Sequence, residues 1–143
     1  MAKYINNQRY WDCTLITLIN ATIFWNRVRV LPDSDIYQQF VKYSYGTVGA
    51  CFSSYVNDVA RFLGLKRIKG QLTLKWVRTH LPVEFTVFCH RGYHSVLCIA
   101  VKNNKLCLTN YSHDRLAWIS WEKVKSMHNK RAAIEQLLLK VSN

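Results

Sequence analysis

Proline and glycine are scarce in this sequence. Its 143 residues hold two Pro and five Gly, which excludes long turn-rich connections and leaves regular elements to carry the chain. Acidic residues are also few. Eight Asp and Glu stand against twenty Lys and Arg, for a formal charge of +12. That balance disfavours cationic partners and favours acidic polypeptides, nucleic acid or an anionic surface. The basic residues are scattered ("RVR", "KRIKG", "LKWVR", "KVKSMHNKR") and form no block typical of a disordered tail.

No apolar run reaches the roughly 18 residues of a membrane span. The best window, 13–25, is interrupted by Thr14, Thr17, Asn20 and Thr22. The start, "MAKYINNQ", lacks the apolar stretch of a secretory signal. These absences lead to the expectation of a free-standing cytoplasmic protein with no membrane span. Compactness and charge suggest a viral or mobile-element source. The five cysteines, Cys13, Cys51, Cys89, Cys98 and Cys107, are odd in number and include no C-x-x-C pair. A disulfide framework and a zinc ribbon are both disfavoured. The set Cys89, His90, His94 and Cys98 fits no common zinc spacing. No cofactor or metal is expected, and oligomeric state is not legible.

What is present reads as a globular chain. Half the residues are hydrophobic, with five Trp and eight Tyr, enough for one domain spanning 1–143 with a sizeable core. The first half has helical period. Asp12 caps a helix over 12–25 with Leu15, Ile16, Ile19 and Ile23 as its stripe. "DSDIYQQFVKYSY" follows Pro32 as a second helix. "SSYVNDVARFLGL" is a third, with Val56, Val59, Ala60 and Leu63 inward and Gly64 as its stop. "TLKWVRTHLP" is a short fourth, closed by Pro82. The second half changes period. "EFTVFCH", "HSVLCIAV", "KLCLTNY" and "RLAWIS" predict an antiparallel meander. "SWEKVKSM" returns to helix behind Ser120, and "NKRAAIEQLLLKV" predicts a last helix with Ala133, Leu137, Leu138 and Val141 inward. Helices, then a sheet, then helices make an α+β domain.

Cys13 stands just after the predicted cap, in the first turn of a helix. There the positive end of the helix dipole favours a thiolate, and unpaired main-chain N–H groups face any anion. Gln8, five residues earlier, offers an amide N–H as a second oxyanion donor. A thiol nucleophile also needs a base and a group to orient it. His94 opens the apolar strand "HSVLCIAV", and Asn110 ends the next strand. Each residue alone has an ordinary structural explanation, a small core thiol, a polar strand end or a turn. Asp114 is a further candidate for the orienting group. Of the aromatics, Trp118 reads as core, whereas Trp11 and Tyr93 adjoin the candidate residues and are candidate substrate contacts.

Taken together, "YINNQRYWDCTLITLINA" and "GYHSVLCIAVKNNKLCLTNYS" resemble motifs of the papain-like cysteine peptidases. The closest branch is that of the bacteriocin-processing, double-glycine-leader peptidases. "AWISWEKVKSM" is similar to the short helix after their last catalytic residue. The resemblance covers about residues 4–127. It implies a papain-like α+β fold with the catalytic helix packed on a C-terminal antiparallel sheet, and cleavage of an amide or isopeptide bond in a polypeptide. Cys13 would be nucleophile and His94 general base and acid. Asn110 would orient His94, and Gln8 with the Cys13 N–H would form the oxyanion hole. Two departures stand out. The family usually has Gly after the cysteine where this chain has Thr14, a residue placed to crowd or narrow the substrate cleft. The leader peptidases more often have Asp where this chain has Asn110. The competing expectation is an inactive papain-like scaffold that binds nucleic acid or an acidic protein through its basic surface.

Register adds one constraint. A two-residue turn at Asn103-Asn104 with an unbroken ladder would put His94 and Asn110 on opposite faces. The triad therefore predicts a longer loop or a bulge near residues 100–105.

Overall fold

The computed structural model describes residues 4–6, 13–27, 38, 53–89, 92–112 and 115–140. Among these, the chain forms α1 (Cys13–Phe24), α2 (Ser53–Phe62), β1 (Leu65–Lys69), α3 (Leu74–Thr79), β2 (Val83–Cys89), β3 (Gly92–Lys102), β4 (Lys105–Ser112), β5 (Arg115–Ser120), α4 (Trp121–Met127) and β6 (Glu135–Leu139). The helix expected over "DSDIYQQFVKYSY" lies outside the described residues except for Gln38, which is helical.

The six strands form one sheet in the order β1-β6-β2-β3-β4-β5, and all its pairings are antiparallel. Helices α1 and α2 cover one face through Leu15, Leu18, Val59 and Ala60, packed with Leu97 and Leu137. Helices α3 and α4 cover the other through Val77, Trp121 and Val124, packed with Val83, Phe85 and Leu108. The architecture is α+β, as the meander of "EFTVFCH" to "RLAWIS" implies.

Helix boundaries follow local chemistry. Thr73 caps α3 by accepting from the Trp76 N–H, and Ser120 caps α4 by accepting from the Lys123 N–H. Gly64, at φ 76°, takes the left-handed turn that ends α2. The expected one-sided stripe on α1 is corrected. Every residue from Cys13 to Ile23 is buried, so its polar side chains need internal partners. Thr22 donates to the Ile19 carbonyl. Asn20 holds both main-chain groups of Ile5, each at 2.9 Å, and donates to Thr109 Oγ1 at 3.3 Å.

The C-terminal helix is also corrected. Residues 135–139 form β6, between β1 and β2, and β1 itself was not anticipated. "EQLLL" has good helix formers, yet two partner strands flank it and supply ladder bonds on both sides. Leu137 and Ile134 are buried, whereas Ala133, expected inward, is exposed. Trp118, read as core, is 49% exposed on edge strand β5.

Both register expectations meet at the β3–β4 hairpin. Lys102 pairs with Lys105, so the connection is the two-residue turn Asn103-Asn104. Continued unbroken, that ladder would set Leu97 against Asn110. Instead Ala100 pairs with Cys107 and Cys98 with Leu108, so Ile99 is an extra residue. Leu97 then faces Thr109. This one-residue slip returns His94 and Asn110 to the same face. The bulge lies one residue before the range the triad predicts.

Candidate active site

Four elements frame the site. Cys13 is the first residue of α1, and it is buried. Burial and the helix dipole act oppositely on a thiol there. Thr14 beside it is also buried, at 6% exposure. One turn further on, Thr17 Oγ1 lies 2.9 Å from Ser95 Oγ on β3. Asn20, three residues later, reaches Thr109, which pairs with Leu97. Helix α1 therefore runs along β3 in the same sense. Stepping back one turn from Thr17, roughly 6 Å of helix, brings Cys13 level with the start of β3, where Tyr93 and His94 stand.

The imidazole of His94 is half-buried, and its Nε2 lies 2.5 Å from the main-chain oxygen of Asn110. A carbonyl can only accept, so Nε2 carries the proton and donates. In the neutral ring, Nδ1 then holds the lone pair and is the basic nitrogen. His94 is held by Asn110, but through a different atom from the one the sequence suggests. The acceptor in this bond is the Asn110 carbonyl, not its side-chain amide.

A second bulge presents that carbonyl. Leu108 pairs with Ala117 and Ser112 with Arg115, so Thr109, Asn110 and Tyr111 together oppose Leu116. Asn110 sits at the centre with φ 61°. Asparagine enters this left-handed region more readily than most residues. This gives the residue type a backbone reason. Asn110→Ala should be about 1–2 kcal/mol less stable than Asn110→Gly, because Gly alone occupies that φ freely. Urea unfolding measures the difference, and equal stabilities would show that the left-handed backbone is not what selects the residue.

The other candidates separate by environment. His80 stacks on Trp76 with centroids 4.3 Å apart, and its Nδ1 lies 2.8 Å from the Trp76 carbonyl. His128 is buried against Phe85, and burial lowers its pKa, favouring the neutral ring. Burial pushes the Cys98 thiol up to about 12 and raises that of Cys107. Both are core thiols with little thiolate near neutral pH. Among the described residues no group of three or more His, Cys, Asp or Glu could hold a metal ion. Tyr93 is half-exposed and meets Phe88 edge to face at 5.3 Å. Gln8, Trp11 and Asp114 lie outside the described residues, as do Cys51, His90 and His113.

Sequence reasoning passed over Thr17, Ser95 and Glu84, which join α1 to the sheet beside His94. The available signal was a carboxylate inside the apolar strand "VEFTVFC" and hydroxyls inside an apolar helix.

No family model matches the chain, and no curated protein matches it significantly. Solved structures do match in fold. The peptidase domain of Streptococcus ComA, a bifunctional ABC transporter of a quorum-sensing pathway, aligns with a TM-score of 0.73 at 17% identity, covering 98% of this chain and 100% of that one. A double-glycine-motif protease from an AMS/PCAT transporter, in complex with its leader peptide, aligns with a TM-score of 0.67 at 15% identity, over 96% and 90% of the two chains. The Streptococcus mutans ComA peptidase domain bound to a small-molecule inhibitor gives 0.57 at 17% identity, over 93% and 95%. The chain thus has the α+β fold of the papain-like cysteine peptidase domains found in double-glycine-leader-processing transporters.

Proposed function

We propose that this chain is a cysteine peptidase that cleaves an amide bond in a polypeptide. The observation that carries the reading is the bond from His94 Nε2–H to the Asn110 carbonyl, because it leaves Nδ1 basic at the end of β3 level with Cys13. In this reading Nδ1 takes the Cys13 proton and the thiolate attacks the substrate carbonyl. The imidazolium returns the proton to the leaving amine, and water, deprotonated by the same ring, releases the acyl group. The Cys13 N–H at the start of α1 and the Gln8 amide would hold the oxyanion. Tyr93, Trp11 and Thr14 are the proposed substrate contacts. Ser95 occupies the face of β3 that meets α1 and His94 the opposite one, so the reading requires the imidazole to reach the thiol around the first residues of the strand.

The fold relative solved with a leader peptide supports a polypeptide substrate. Peptides carrying a double glycine before the scissile bond are the first substrates to try. The direct test is alkylation of all five cysteines by iodoacetamide at mildly acidic pH. Cys13 should react first, and His94→Ala should slow it by about tenfold or more. Uniform labelling of the five thiols, or indifference of Cys13 to the His94 change, would remove the peptidase reading.

A further inference from the structure

Glu84 is a carboxylate with no part in the chemistry above. It lies on β2, paired with Leu97 of β3 and Glu135 of β6. Leu97 packs against α1, so Glu84 lies in the same layer, beneath that helix. Its Oε2 is 2.5 Å from Ser95 Oγ, and Ser95 Oγ is 2.9 Å from Thr17 Oγ1. All three residues are buried. The chain of oxygens crosses from β2 through β3 to α1. One end lies a single turn beyond Cys13, and its middle is the residue after His94.

Proton counting gives this chain two directions. Ser95 has one hydroxyl hydrogen and two oxygen neighbours. An ionised Glu84 accepts that hydrogen, and Thr17 then donates to Ser95. A protonated Glu84 donates to Ser95, Ser95 donates to Thr17, and the Thr17 hydrogen turns away from the chain. The Thr17 end of α1 thus exchanges donor for acceptor when Glu84 gains a proton.

Among the described residues the charged groups around Glu84 are few. Burial is the main cause that carries its carboxyl up to about 7, with the Ser95 bond opposing, Glu135 adding and Arg67 opposing. Glu135 is held by Arg67 of β1, at 2.9 Å from both Nε and Nη2, and Arg67 also donates to Asn57 of α2 at 2.7 Å. Glu84 is the only charged residue of β2. Helix α1 has no charged residue, and its titratable group is the Cys13 thiol. At this end β3 brings Tyr93 and His94.

We propose that Glu84 is a positioning residue for the Cys13–His94 pair, setting the approach of α1 to the His94 end of β3 through Ser95 and Thr17, so that its protonation changes the reactivity of Cys13. The proposal rests on the peptidase reading.

The test is the pH profile of Cys13 alkylation by iodoacetamide, from pH 5 to 9, in the full chain. The wild type should show a step near pH 7 that Glu84→Gln removes. Thr17→Val, which keeps shape and loses the hydroxyl, should lower the Cys13 rate several-fold, and Thr17→Ser should restore it. Loss of packing alone would not move the step or be rescued by a smaller hydroxyl residue. A Glu84→Gln profile that superimposes on wild type, or a Thr17→Ser rate no better than that of Thr17→Val, overturns the proposal. If Glu84→Gln fails to fold, the Thr17 pair decides it. Wild-type Cys13 reacting no faster than Cys98 and Cys107 overturns the peptidase reading instead, so the two failures are distinguishable.

Discussion

Asn20→Leu is expected to lower the unfolding free energy by about 3–5 kcal/mol. The side chain sits on a helix buried all round, with 0% exposure. Its amide both accepts from the Ile5 N–H and donates to the Ile5 carbonyl. It also donates to Thr109 Oγ1 on β4. Leucine fills similar space but satisfies none of these groups. Each orphaned buried polar group costs roughly 1–3 kcal/mol, more than the net gain of the bond itself. The midpoint of thermal unfolding should fall by about 10–15 °C for a chain of this size. In the proposed peptidase reading the change would also reach Gln8. The sequence between Ile5 and Cys13 contains Gln8, and the Ile5–Asn20 pair anchors its beginning to the helix that starts at its end. A loss under about 1 kcal/mol would mean that this pair of hydrogen bonds does not form in solution.

Raising the pH through the range from 4.5 to about 7 should destabilise the wild type relative to Glu84→Gln by roughly 3 kcal/mol in total. The sign follows from the raised carboxyl. Unfolded, Glu84 releases its proton near the ordinary value of 4.5; folded, it holds the proton up to about 7. Between those values the native state binds more protons than the unfolded state. The stability due to this group is complete below 4.5 and is lost as pH rises through about 7. Glutamine stays neutral throughout, so its denaturation midpoint lacks that slope. Urea titrations at half-unit pH intervals measure the difference curve. Parallel curves for the two proteins would show that Glu84 titrates as an ordinary exposed carboxyl.

The structure also explains where sequence reading succeeded. The boundaries of α2, α3 and α4 lie in local chemistry, in caps such as Ser120 and a stop at Gly64, whereas Asp12, the expected cap of α1, lies outside the described residues. Strands β2 to β5 are legible because their apolar residues recur at short period between turn residues, and each pairs with its neighbour in sequence. Strand β6 fails on both counts. "EQLLL" is apolar on consecutive positions, and its partners begin far away, with Leu65 opposite Leu139. Nothing within a few residues of Leu137 announces a strand at Leu65.

The candidate site divides the same way. Residue types and order marked Cys13, His94 and Asn110 as a candidate set, and the chain's fold is that of peptidase domains. How His94 is held was not legible, because it depends on two bulges. One absorbs Ile99 and sets the face; the other turns Asn110 to φ 61° and offers its carbonyl. A bulge is decided by what packs on both sides of a ladder, not by the two residues it separates.

By itself the sequence determined helices α1 to α4, the meander β2 to β5, the cap at Ser120 and the order of a thiol, an imidazole and an amide along the chain. Tertiary structure alone decided the place of β6 between β1 and β2, the main-chain acceptor for His94, and the buried line from Glu84 through Ser95 to Thr17. The reason is one of range. Caps and periodicity are set by neighbours a few residues apart. Ladder register, left-handed bulges and the partner of a buried carboxylate depend on atoms that only the folded chain brings together.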